Sequence, residues 1–147
     1  MKMTLEKLHI IAGKIIDKVH SLKSDTATVV ALHGDLGAGK TTLTQEIAKQ
    51  LKISESVISP TFVIIKKYNL PAQAGVVDKN FKYLIHIDAY RLNSSEELLK
   101  LGWQEIFEDK SNLIIIEWPE NVSDCIPKDV CTIKLSHTDE STRSIEF

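Results

Sequence analysis

The run "VVALHGDLGAGKTTLTQEI", from Val29 to Ile47, constrains the fold more than any other part of the chain. The preceding "TATVVALHG" is β-branched and apolar and ends at Gly34, which reads as a buried strand; Lys40 to Leu51 reads as a helix. Between them "GDLGAGKT" matches G-x-x-x-x-G-K-[ST], with Gly34, Gly39, Lys40 and Thr41 at the fixed places. With average Gly usage of about 7%, chance produces this pattern in fewer than about 1% of chains this long. The strand before it and the helix after it are the context the motif requires.

Each residue type in the loop has a physical reason. Glycines let the backbone turn tightly and aim successive N–H groups inward, a concave nest for phosphate oxygens. The helix that starts near Lys40 adds unsatisfied N–H groups and the positive end of its dipole. Lys40 reaches the outer phosphates as a point charge, and the Thr41 hydroxyl is placed to ligate a Mg²⁺ that bridges them. Gly34, Asp35, Leu36, Gly37, Ala38, Gly39, Lys40, Thr41 and Thr42 are the expected nucleotide contacts.

The rest of the chain supplies alternating elements. Leu5, Leu8, Ala12, Ile15, Val19 and Leu22 recur at helical spacing, predicting an N-terminal amphipathic helix. "SPTFVIIKKYNL" reads as a loop then a strand, because Pro60 favours an extended Ser59 and a β-rich run follows. "LPAQAGVVDKN" reads as a surface connection or hairpin. "FKYLIHIDAYRL" is a strand, and "NSSEELLKLGWQEIFED" a helix whose Ser94 and Glu97 have capping-box spacing. "NLIIIEW" is continuously apolar, as in the middle of a sheet, and the C-terminal "DVCTIKLSHTDESTRSIEF" predicts an antiparallel hairpin turning at "HTDES". Strands separated by helices imply an α/β sheet with a parallel centre; consecutive strands imply antiparallel additions at its margins.

Composition narrows the function. The 147 residues are 43% hydrophobic and 26% charged, which suits one domain, 1–147, with a sizeable core. A net charge of −2 gives no basic field to attract nucleic acid unaided, so a role on RNA would need a partner. The N-terminal apolar run is interrupted by charges, unlike a signal peptide or a membrane span, so the expected location is the cytoplasm. Cys125 and Cys131 lack metal-ligand spacing and read as reduced thiols.

Hydrolysis needs more than a phosphate nest: the metal must be held from a second side and the water oriented. Asp88 closes "YLIHID" and Glu117 closes "NLIIIE", both at C-terminal strand ends, where α/β sheets place their ligand crevice. Either could be an ordinary solvated acid, but two beside one P-loop form a candidate metal and water site. His86 lies two residues before Asp88 on the same strand face, placed to orient Asp88 or a water, or simply to fill the core. Arg91 is a candidate for phosphate charge or a structural ion pair; Trp118 follows a candidate catalytic acid, while Trp103 reads as core. Ser59 and Thr61, in the loop after the P-loop helix, lie where nucleotide switches sense the outer phosphate and its metal.

"GDLGAGKTT", "SPTF", "HIDAYRL" and "IIEW", in that order, resemble the bacterial TsaE family of P-loop ATPases in tRNA threonylcarbamoyladenosine biosynthesis. The resemblance runs from about Leu32 to Glu120, with no departure at the motif positions; the N-terminal helix and C-terminal hairpin fit by layout. It implies an α/β fold, a P-loop sheet with parallel central strands flanked by antiparallel strands, with helices on both faces. It implies that Lys40 and Thr41 hold ATP and Mg²⁺, that Thr61 belongs to a switch-like loop, and that Glu117 and Asp88 serve metal and water, with Glu117 foremost. Ser59, His86, Arg91 and Trp118 become switch or partner candidates. The implied partners are TsaD and TsaB, with tRNA met only through their complex and no membrane; ATP hydrolysis would permit their repeated turnover and would be slow in the isolated chain. Two other classes share the P-loop. A small-molecule kinase should carry a basic lid, and besides Arg91 the only arginine is Arg143 in the terminal hairpin. A non-catalytic nucleotide-dependent assembly module would not need Glu117 or Asp88.

Overall fold

The strand that feeds the glycine loop sits inside the sheet because both its faces are apolar. A computed structural model describes residues 4–22, 24–60, 63–71, 81–137 and 143–147. Its strands are β1 (Thr28–His33), β2 (Ile65–Asn69), β3 (Tyr83–Asp88), β4 (Asn112–Glu117), β5 (Cys131–His137) and β6 (Arg143–Glu146). They form one sheet in the order β2-β3-β4-β1-β5-β6. β3, β4, β1 and β5 run parallel, while β2 joins β3 and β6 joins β5 antiparallel. The parallel centre with antiparallel margins is the expected arrangement.

Helices cover the two faces. On one, α1 (Leu5–Ser21) and α2 (Lys40–Gln50) pack Ile11, Ile15, Leu43 and Ile47 onto Val30, Leu32, Leu84 and Ile115. On the other, α3 (Ser95–Lys100), α4 (Trp103–Glu108) and a 3-10 segment, Pro119–Cys125, bring Leu98, Trp103 and Val122 against Ala31, Ile85, Ile87 and Ile116. Burial on both faces explains why β1, β3 and β4 read as continuous apolar runs. Trp103 is core, as its helical setting suggests.

Four details differ from the sequence reading. Leu5 is 84% exposed, while Ile11, outside the expected stripe, is buried in the core. The predicted helix over "NSSEELLKLGWQEIFED" is two short helices, because Gly102 adopts the left-handed conformation (φ 94°). Ser94 caps α3 without a side-chain hydrogen bond; Glu97 Oε2 instead accepts from the Asn93 N–H at 3.1 Å. The β-rich run after Pro60 becomes strand only at Ile65, after Ile64 at φ 67°. The connection at 72–80 and the turn at 138–142 lie outside the described residues, while the hairpin itself pairs Lys134 with Glu146 and His137 with Arg143.

A Cβ at Gly102 would meet nothing within 4 Å, so Gly102→Ala tests backbone strain alone. It is expected to lower unfolding free energy by about 1–2 kcal/mol in urea denaturation, the left-handed penalty of a residue with a side chain.

Candidate active site

The glycine loop connects β1 to α2, and its first residue lies against the backbone of β5. Gly34 holds φ 150°, and a Cβ there would stand 2.6 Å from the Leu135 carbonyl oxygen of β5. Backbone cannot give way at that distance, so the position excludes any side chain. Gly39, at φ 104°, ends the loop as the N-cap of α2 with no side-chain cap, leaving the first N–H groups of the helix open to an anion.

Lys40 folds back over the loop. Its Nζ donates to the carbonyls of Gly34 and Asp35, the latter at 2.9 Å, and lies 4.3 Å from the centroid of the Trp118 ring. Burial pulls the Lys40 pKa below the usual lysine value of 10.5, with Glu117, Glu120, Asp88 and Asp35 pulling it back up. The ammonium thus waits in a partly desolvated site amid anionic neighbours.

Two parallel pairings put the acids beside it. β1 pairs Leu32 with Glu117, and β3 pairs Asp88 with the same Glu117, so both carboxylates stand at one level beneath the start of α2. The Thr41 hydroxyl donates to Glu117 Oε1 at 2.9 Å, and Glu117 is 2% exposed. Asp88, 5% exposed, accepts from the Tyr90 N–H at 3.0 Å and from the Ser59 hydroxyl at 3.4 Å. Gln45 of α2 holds the Ser59 loop in place by donating to the Val57 carbonyl at 2.7 Å. A cavity of about 290 Å³ opens over these groups, walled by Leu36, Thr42, Tyr90 and Trp118 besides the loop and the acids. Its hydroxyl and carboxylate oxygens are the hard donors Mg²⁺ takes, and its open N–H groups and lysine suit phosphate.

Of the residues singled out from the sequence, Leu36, Gly37, Gly39, Lys40, Thr41, Thr42, Ser59, Asp88, Glu117 and Trp118 line this cavity. Thr61 lies outside the described residues. Arg91 is on the surface and outside the cavity lining. His86 does not turn to Asp88: its Nε2 points to Glu117 Oε1 at 3.7 Å, because strand alternation fixes its face while the diagonal neighbour on β4 is the acid. Trp118 is at φ 58° and packs against Tyr90 with ring centroids 5.1 Å apart and planes tilted by 49°, and both rings line the cavity wall.

Sequence reasoning missed Tyr90, Glu120 and Asn121. Tyr90 was inside "HIDAYRL", and the aromatic partner was the available signal. Glu120 Oε2 lies 3.1 Å from His33 Nδ1, joining the end of β1 to the turn after β4, and Asn121 donates to the Ala89 carbonyl at 3.0 Å. These tie the loops after β3 and β4 together; nothing local in the sequence announces them.

The family model for "Threonylcarbamoyl adenosine biosynthesis protein TsaE" matches residues 4–145. The chain belongs to the TsaE family. It is 35% identical over 134 residues to the tRNA threonylcarbamoyladenosine biosynthesis protein TsaE of Bacillus subtilis, spanning 91% of this chain and 77% of that one. It is equally similar, 35% over 135 residues, to the protein of that name from Haemophilus influenzae, over 92% of this chain and 77% of that one. Among solved structures, a crystal structure of Bacillus subtilis YdiB superposes with a TM-score of 0.68 at 29% identity, over 99% of this chain and 82% of that one. The TsaE resemblance drawn from four short motifs therefore holds over nearly the whole chain.

Two substitutions probe the site. Gly34→Ala is expected to destabilise the chain by at least about 2 kcal/mol in urea, more than Gly102→Ala, because it adds a backbone clash to unfavourable φ. For Lys40 the lowered pKa means that charging it opposes folding: the penalty is fully present below the lowered value and fades as pH rises from there to 10.5. Lys40→Met is therefore expected to melt, without nucleotide, at or above the wild-type temperature. It should lose the stabilisation that Mg²⁺-ATP gives the wild type, about 2.7 kcal/mol at 100 times the dissociation constant.

Proposed function

We propose that this chain is a Mg²⁺-dependent ATPase, one P-loop domain over residues 1–147, that acts on a TsaD–TsaB complex and permits its repeated turnover in tRNA threonylcarbamoyladenosine modification. The observation that carries the proposal is the 2.9 Å hydrogen bond from the Thr41 hydroxyl of the P-loop helix to Glu117 at the end of β4. A phosphate nest that only anchored a ligand would need no buried acid on its metal-side hydroxyl.

The chain's own groups divide the work. The N–H groups of the loop and of the first turn of α2 receive phosphate oxygens, and Lys40 leaves its two carbonyl partners to meet the outer phosphate. Bound Mg²⁺ would withdraw charge from the phosphate oxygens. Thr41 and Glu117 would hold it, and Glu117, whose Oε1 already accepts the Thr41 hydroxyl, would also orient water. Asp88, clasped by the Tyr90 N–H and Ser59, supports Glu117 and carries the state of the Ser59–Thr61 loop to the acids. Trp118 and Tyr90 shield the phosphates from bulk water.

The same arrangement is consistent with slow hydrolysis by the isolated chain. Arg91, the arginine nearest in sequence to the acids, stands outside the cavity lining, so a charge-stabilising group would come from a partner, as in nucleotide switches activated in trans. TsaD and TsaB are that partner in our reading, with tRNA reached only through their complex; the net charge of −2 agrees. No helix among the described residues is long and apolar enough to cross a membrane, and we place the protein in the cytoplasm with its tRNA-modifying partners.

Steady-state ATP hydrolysis by the chain alone and with TsaB and TsaD tests this reading, with Lys40→Ala as the blank. Partner stimulation is expected, and Glu117→Gln should lower the stimulated kcat by about 10²-fold or more. Unstimulated, Glu117-independent turnover would contradict it, and nucleotide binding without hydrolysis would favour an assembly module.

A further inference from the structure

His86 is completely buried, yet neither ring nitrogen finds a hydrogen-bond partner among the described residues. A buried polar group without a partner is costly, and a hydrophobic side chain would fill the same space without that cost. Its surroundings show what the ring faces. β3 directs Leu84, His86 and Asp88 toward the α1–α2 layer, and β4 directs Leu113, Ile115 and Glu117 the same way. His86 pairs with Ile115, which makes Glu117 its diagonal neighbour, and Nε2 comes to 3.7 Å from Glu117 Oε1. That oxygen is the one that accepts the Thr41 hydroxyl.

Resting on the reading of this cavity as a Mg²⁺-nucleotide site, we infer that His86 is a positioning residue for Glu117. The imidazole edge stands on the β3 side of the carboxylate and the Thr41 hydroxyl on the α2 side, so Oε1 is confined between them. An approach of well under ~1 Å turns the 3.7 Å contact into a hydrogen bond, which lets the ring follow the carboxylate when it engages a cation beside Thr41. His86 touches no substrate atom; it acts through Glu117. Hydrogen-bonded groups behind metal-side ligands commonly contribute about 10–100-fold in metal affinity or activity.

The test compares wild type with His86→Leu, His86→Phe and His86→Gln, the last carrying a donor at the reach of Nε2. Calorimetry measures ATP affinity with Mg²⁺ and with a chelator, thermal melting reports the ligand-free fold, and steady-state kinetics separate kcat from KM. His86→Leu is expected to melt at or above wild type and to keep its affinity in chelator. It should lose about 10-fold or more of the gain in ATP affinity that Mg²⁺ confers, so that KM for Mg²⁺-ATP rises while kcat falls similarly. His86→Gln should recover part of both. Should His86→Leu not fold, His86→Phe keeps the ring's shape without its nitrogens and is expected to show the same loss. A wild-type Mg²⁺ gain that the donorless variants retain overturns the inference and leaves the ATPase reading standing. A wild type with no Mg²⁺ gain overturns the nucleotide reading, and this inference with it.

Discussion

The register of three parallel strands is the constraint on which the site depends. Leu32 of β1 and Asp88 of β3 both pair with Glu117 of β4, so the glycine loop that leaves β1 and the two acids that end β3 and β4 emerge at one level. A slip of one residue in β4 would turn Glu117 to the opposite face, away from Thr41, and drive Ile116 into its place. Burial on both faces makes such a slip expensive, since each face of β4 is packed with its own set of fully buried isoleucine and leucine side chains. The core that holds the sheet together is thus also what aligns the chemistry.

The loops above the strands complete the site through backbone contacts. The Ala89 N–H donates to the Glu117 carbonyl at 3.0 Å, and Asn121 returns to the Ala89 carbonyl, so the chain after β3 and the chain after β4 are tied into one piece. Trp118 is held at φ 58° within this piece, an arrangement that costs a non-glycine residue about 1 kcal/mol or more and places its ring over Lys40. His33 and Glu120 join that piece to the end of β1 with a half-exposed pair, which adds orientation more than stability.

Much of this was legible in the chain itself. Glycine spacing announces the phosphate loop because few residues other than glycine tolerate the backbone it needs, and Gly34 shows why at 2.6 Å from a carbonyl. The acids were legible because they end continuously apolar runs, and such runs are strands buried in a parallel sheet. Other features were not. Alternation gives the face of His86 but not which neighbour on the next strand it meets, since that depends on register and diagonal distance. Gly102 splits the predicted helix by adopting the left-handed conformation, and Leu101 beside it is 46% exposed; a run of helix-forming residues does not report backbone continuity. Tyr90, Glu120 and Asn121 earn their places from contacts between loops far apart in sequence, and no local pattern carries that information.

A double-mutant cycle tests most directly whether the P-loop hydroxyl and the β4 acid act as one unit. Calorimetric affinity for Mg²⁺-ATP would be measured for wild type, Thr41→Val, Glu117→Gln and the double variant. A shared metal-side site predicts a coupling of at least about 1 kcal/mol between the two positions, while losses that add within about 0.5 kcal/mol would contradict it.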